Sequence, residues 1–227
     1  MNDEVKEKLK KCISSAIKMN GNILNGLIEE FYSIEDYKFE LIKFPKWDDD
    51  ALILKFKIND CNYVLKIHYD KYPIAANIYN SEELLKLLDK CEYCTHIELT
   101  FTCKNKNGRN IRCVVYPYIC GETIAKAIQK CDDEKIKYYQ GLLRECTVGL
   151  YKAGFNPFIK DLDDFMVTKK EGREIVVLTD YNTLFDCHNA SIESRTEIMD
   201  IIDDVIKRTL TKNYKPYILH RPTLTDV

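Results

Sequence analysis

A mixed α+β fold in two parts, a five-stranded antiparallel sheet and then a truncated, mainly helical half, is predicted by three observations. Alternating apolar runs cover residues 37–44, 51–58 and 63–68 with only short polar breaks between them. Two further strand-like runs cover residues 96–103 and 112–118. Beyond Gly121 the apolar spacing changes from two to the three-and-four pattern of helices.

Each element follows from its own residues. Val5, Leu9, Cys12, Ile13, Ala16 and Ile17 recur at helical spacing, which predicts an amphipathic helix over residues 3–19, packed on the outside of the main fold. The first run stops at Pro45, and the clusters Trp47-Asp48-Asp49-Asp50 and Asn59-Asp60-Cys61-Asn62 are of hairpin-turn length, so the first three strands form an antiparallel meander. Ser81 ahead of Glu82 and Glu83 is an N-cap followed by a first turn whose acids suit the helix dipole, and Leu84, Leu85, Leu87 and Leu88 continue that helix. The fourth and fifth strands are joined by Lys104-Asn105-Lys106-Asn107-Gly108, a strong turn signal.

Residues 122–130 and 133–153 then read as helices, the second closed by Gly154. A hairpin pairs residues 165–167 with 175–178, a long helix covers residues 191–210, and the stretch from Tyr214 is irregular. The expected organisation is therefore an N-terminal helix (1–20), a sheet-bearing lobe with one helix (21–120), a truncated helical lobe (121–213) and a tail (214–227). No internal repeat or low-complexity tract interrupts it.

Composition bounds the function. A chain of 227 residues with 45% hydrophobic and 31% charged residues holds one large domain or two small lobes of ordinary globular character. The 34 Lys plus Arg nearly balance 36 Asp plus Glu, so no global field favours nucleic acid. The 15 tyrosines and 9 phenylalanines are not interleaved with basic clusters, which also argues against an aromatic nucleic-acid platform. No apolar run reaches membrane-spanning length, and the first residues lack the apolar core of a secretory signal, so a cytoplasmic location is expected. Ten scattered cysteines then read as reduced thiols.

Cys91-x-x-Cys94-x-His96 invites a zinc reading, but it has no second ligand pair at suitable spacing, and structural thiols are the better account. His68 and His188 each stand alone, and no nucleophile-base pattern supports hydrolase chemistry. Three polar segments carry more information. Lys66 lies on the third strand within Tyr63-Val64-Leu65-Lys66-Ile67. Ile159-Lys160-Asp161-Leu162-Asp163-Asp164-Phe165-Met166-Val167 lies between a helix and the hairpin. Leu178-Thr179-Asp180-Tyr181-Asn182 follows the hairpin, and an acid at the end of an apolar run needs a partner or a metal.

In their order, these elements and segments resemble a small, divergent protein kinase, with a layout similar to that of the bacterial lipopolysaccharide core heptose kinases. The resemblance covers roughly residues 37–210. It implies an ATP- and Mg2+-dependent phosphotransferase acting on a hydroxyl acceptor, or a pseudokinase that uses the same body as a binding or regulatory module. It implies that Lys66 grips nucleotide phosphates and pairs with Glu82 or Glu83 of the following helix. Tyr116 and Tyr118, in Val114-Val115-Tyr116-Pro117-Tyr118, would then lie at a hinge beside the adenine.

Two registers compete for the loop before the hairpin. If Lys160-Asp161-Leu162 is matched to R-D-L, Asp161 is the catalytic base, Met166 falls where the family has its metal-binding asparagine, and Asp163 or Asp164 holds the metal instead. If the hairpin strand is aligned first, Asp164 takes the asparagine position and Ile159 the position of the base, as in a pseudokinase. In either register Asp180 is the second metal ligand, with Tyr181 and Asn182 replacing the phenylalanine and glycine of D-F-G. The chain departs from the family in having no glycine within Phe44-Pro45-Lys46-Trp47-Asp48, no A-P-E-like segment after Asp180, and no intact G-D-x-H-x-x-N signature.

Overall fold

The structure, a computed structural model, describes residues 1–18, 25–27, 30, 38–43, 51–58, 60–69, 78–79, 81–157, 159, 161–181, 184–188 and 202–211. The expected turn at 47–50, the residues Lys160 and Asn182, the first part of the helix expected at 191–210 and the irregular tail lie outside them. The chain divides into two compact units.

The first unit contains helix α1 (Asp3–Lys18) and strands β1 (Lys38–Lys43), β2 (Ala51–Ile58), β3 (Cys61–Tyr69), β4 (Leu99–Lys104) and β5 (Asn110–Pro117). The strands form one antiparallel sheet in the order β1-β2-β3-β5-β4. Period-two alternation sends Leu52, Leu54, Phe56, Ile58, Tyr63, Leu65, Ile67, Ile111, Cys113 and Val115 to one face. There they meet Leu9, Ile13, Ala16 and Ile17 of α1 in a single core. The N-terminal helix, expected to pack on the outside of the main fold, closes this core, and Leu9, Ile13 and Ile17 each contribute about 1.5–3 kcal/mol of burial.

Local chemistry sets the turns of this sheet. Asp60 between β2 and β3 takes φ 65°, which a short polar side chain tolerates, and its carboxylate accepts from the Lys57 ammonium. Between β4 and β5 the Asn105 carboxamide accepts from the amides of Asn107 and Arg109, and Gly108 supplies φ 74°. β4 starts at Leu99 rather than at residue 96, because Thr95 is engaged elsewhere: its amide and hydroxyl both donate to the carbonyl of Leu178.

The second unit contains α2 (Glu82–Leu88), β6 (Gly121–Thr123), α3 (Ile124–Ile128), α4 (Asp133–Lys152), β7 (Phe155–Pro157), β8 (Phe165–Lys170), β9 (Arg173–Leu178), β10 (Leu184–Asp186) and α5 (residues 202–209). The helix expected to accompany the first sheet, α2, therefore groups with this unit; its N-cap Ser81 accepts from the amide of Leu84. The helix expected at 122–130 begins later, since residues 121–123 pair with β8 and Thr123 then caps α3. β8 and β9 form the expected hairpin, in the sheet order β6-β8-β9, and β7 pairs with β10. The unit thus carries more strand than the hairpin alone. Gly154 ends α4 at φ 87° with its amide on the carbonyl of Tyr151.

Candidate functional site

Lys66 lies near the middle of β3, across from Ile53 of β2 and Val114 of β5. Alternation places it on the face turned away from α1, in company with Val64, His68, Val114 and Tyr116. It is only 6% exposed. An ammonium at that depth is rare unless anionic or polar groups sustain its charge, so Lys66 is a chemically loaded position. Arg112 and Thr100 share the face through the β5 and β4 registers, around an apolar centre of Val64 and Val114.

Tyr116 is buried on that face, whereas Tyr118 is exposed just beyond the end of β5. The Lys55 ammonium lies 4.3 Å from the Tyr118 ring centroid, a cation-π contact. The amide of Tyr118 donates to the carbonyl of Asn62 at 2.9 Å. That amide is committed to the sheet and is closed to an adenine while the bond stands.

The acids of the second unit are arranged by one end of the β8–β9 hairpin. Asp161 caps a 3-10 turn at Leu162–Asp164, accepting from the amide of Asp163 at 2.9 Å. Leu162 and Phe165, both fully buried, anchor the turn from below. The Asp163 carboxylate accepts from the Thr123 hydroxyl at 2.7 Å, which ties the turn to the start of α3. The last hairpin pair is Phe165 with Leu178, so Asp164 stands opposite Thr179. Thr179 clamps this end: its amide (2.8 Å) and its hydroxyl (3.0 Å) both donate to the Asp164 carbonyl. Asp164 and Asp180 consequently leave the same end of one rigid hairpin.

Tyr181 anchors the chain immediately after Asp180. Its hydroxyl donates to the carbonyl of Thr95, its ring stacks on Tyr79 with centroids 6.0 Å apart, and burial pushes its phenol well above the usual range. Asp180 is thus held between a clamped threonine and a buried tyrosine. Glu82 and Glu83 occupy the exposed first turn of α2, and Glu82 pairs with Lys86 of its own helix at 3.1 Å.

Among the described residues no group of three or more His, Cys, Asp or Glu side chains converges for a metal ion. Two hard carboxylates are a donor type that suits Mg2+ rather than zinc when waters and phosphate oxygens complete its shell, and Asp164 and Asp180 are of that type. No helix among the described residues is long and apolar enough to cross a membrane.

Two features are not evident from the sequence. Thr179 and Thr123 hold the acids in place, and the one signal for Thr179 is a hydroxyl directly preceding Asp180. His188, expected to stand alone, is paired: its Nδ1 lies 2.6 Å from Asp186 Oδ1 and its amide donates to the same oxygen. The ring meets Phe155 edge-on and lies over Gly154. The local signal is the Asp-x-His spacing of an Asx turn. Compared with protein-family models and with curated protein sequences, the chain matches none.

Proposed function

We propose that the chain is a kinase-like, ATP- and Mg2+-dependent phosphotransferase acting in the cytoplasm on a hydroxyl acceptor. The observation that carries the reading is the Thr179 clamp, which brings the Asp164 and Asp180 backbones to one end of the hairpin. In this reading Asp164 and Asp180 hold the magnesium, which supplies neutralisation of phosphate charge when bound. Lys66 meets the nucleotide phosphates, and Asp161 orients the acceptor hydroxyl and takes its proton. Catalysis by such parts is positioning and charge stabilisation rather than covalent chemistry.

A second reading has a specific observation in its favour. The hairpin strand begins at Phe165, directly after Asp164, which matches the register that assigns the base position to Ile159; Ile159 is buried and has no proton acceptor. Asp161 is also engaged as a cap. A pseudokinase would keep the nucleotide and lose the transfer.

Thermal unfolding with and without MgATP separates the readings. Nucleotide at ten times its Kd stabilises the folded chain by about 1.4 kcal/mol, an easily read rise in Tm. Lys66→Met, Asp164→Asn and Asp180→Asn should each remove that rise. Release of ADP in the presence of candidate acceptors, abolished by Asp161→Asn with binding retained, supports transfer; binding with no release under any condition supports the pseudokinase. Absence of any shift at millimolar MgATP sinks both.

A further inference from the structure

Among the described residues outside the acidic hairpin end, a cluster of sulfur side chains stands out in the second unit. Cys91, Tyr93 and Cys94 form a turn just after α2, closed by the amide of Cys94 on the carbonyl of Cys91 at 3.2 Å. The turn is fixed on two sides. Tyr93 lies against Gly149 of α4 so closely that a Cβ there would stand 2.1 Å from its ring. Cys94 and Thr95 run parallel to the end of β9: Leu178 donates to the carbonyl of Tyr93 at 2.8 Å and accepts from the amide of Thr95. Cys146, fully buried on α4, points its thiol at the Tyr93 carbonyl.

We propose that Cys91 and Cys94 are a reversible thiol–disulfide site, whose oxidation state is felt by the segment from Leu178 to Tyr181. A four-residue turn keeps the first and fourth Cα within about 7 Å, inside the reach of a disulfide, and both thiols are partly accessible. The chemistry is divided between them. The Cys94 thiol donates to Cys91 and, against the opposing effect of burial, holds the Cys91 thiol down to about 7, with the Lys170 ammonium assisting; that donation and burial push Cys94 up. Cys91 is therefore the attacking thiolate and Cys94 the resolving thiol.

With a small-molecule disulfide of the oxidised-glutathione type as oxidant, the Cys91 thiolate displaces one thiolate and forms a mixed disulfide. Cys94 then gives its proton to solvent, attacks the Cys91 sulfur and expels the second thiol. Two protein thiols are oxidised and one external disulfide becomes two thiols.

Cys103 and Cys113 are the competing pair, and the Cys103 thiol is likewise drawn down to about 7 by its neighbour. They are diagonal across β4 and β5, since Phe101 faces Cys113 and Cys103 faces Ile111. Diagonal neighbours are about 7–8 Å apart, beyond ordinary disulfide geometry without moving a strand. The Cys91–Cys94 turn contacts residues on either side of Asp180: Cys94 pairs with Leu178, and its thiol touches the Tyr181 hydroxyl. The proposal holds whether or not a nucleotide binds.

The test equilibrates the full reduced chain in glutathione buffers of rising oxidised fraction at neutral pH, alkylates the remaining thiols and maps them by mass spectrometry. The peptide from Cys91 to Lys104 also contains Cys103, so fragment ions assign each sulfur. Cys91 and Cys94 should lose both alkylation sites together, at a less oxidising ratio than any other cysteine. Amides 94–95 and 178–181 should then exchange more slowly. In Cys94→Ala, Cys91 should stop at the glutathione adduct, and the pH midpoint of its alkylation should rise from about 7 toward the ordinary thiol range. Prior oxidation of Cys103 with Cys113, closure of Cys91 onto Cys146, or persistence of both free thiols after other cysteines have oxidised would overturn the proposal. Should Cys94→Ala fail to fold by circular dichroism, the wild-type titration alone decides among these outcomes.

Discussion

At Gly154 the backbone takes φ 87° as α4 ends, and a Cβ built there would stand 2.4 Å from His188 Nε2. A side chain at this position meets both backbone strain and an aromatic ring. Gly154→Ala is therefore expected to cost about 1–2 kcal/mol from the left-handed conformation alone, and more from displacing His188. Urea denaturation should show it as a lower midpoint at unchanged slope; an unchanged midpoint would mean that His188 does not lie over the turn. His188 itself acts on Asp186. Its amide, and then its ring, hold the Asp186 carboxyl below the usual carboxylate range. A carboxyl depressed in the folded state adds stability above its unfolded-state value and loses it as pH falls through the folded value. The stability difference between the native chain and Asp186→Asn should therefore be present at neutral pH and vanish on acidification, with an acid-independent difference counting against the pairing.

Among the elements, the β8–β9 hairpin carries the acids that the proposed function assigns to magnesium, and Thr179 is its testable joint. Thr179→Val keeps the backbone bond to Asp164 and removes the hydroxyl bond, a loss of about 1 kcal/mol. The expected result is a small fall in Tm together with a larger fall in MgATP stabilisation; equal MgATP stabilisation in both proteins would show that the clamp does not serve ligand binding. Ser81→Ala should likewise lower stability by about 1 kcal/mol through loss of the α2 cap.

Elements such as these are legible because their signals are local. Ser81, Gly154 and Gly108 announce a cap, a stop and a turn from their own chemistry, and the alternation of Leu52, Leu54, Phe56 and Ile58 announces a half-buried strand. Features that depend on distant partners stay hidden. Glu122 looks helical until Val167, far along the chain, is placed beside it. Where the hairpin strand begins is likewise set by the pairing of Phe165 with Leu178 rather than by any local signal in the loop before it.

On the scale of the whole molecule, each unit has its own interior, and α1 is integral to the first. Leu9→Ala removes a fully buried side chain from the core that α1 shares with the sheet, so a loss of about 2–5 kcal/mol is expected. Hydrogen exchange should quicken in β2, β3 and β5 well before α4 responds; a change spread evenly over both units would argue against separate cores. The same sheet has an order that chain synthesis must respect. β5 sits between β3 and β4, yet it is made only after α2 of the other unit has been laid down. A nascent chain halted before residue 110 presents β3 as a bare apolar edge, open to pairing with a neighbour's strand. Premature termination in that interval should accordingly yield insoluble aggregates, and the ribosome must release at least Pro117 before the first unit can close.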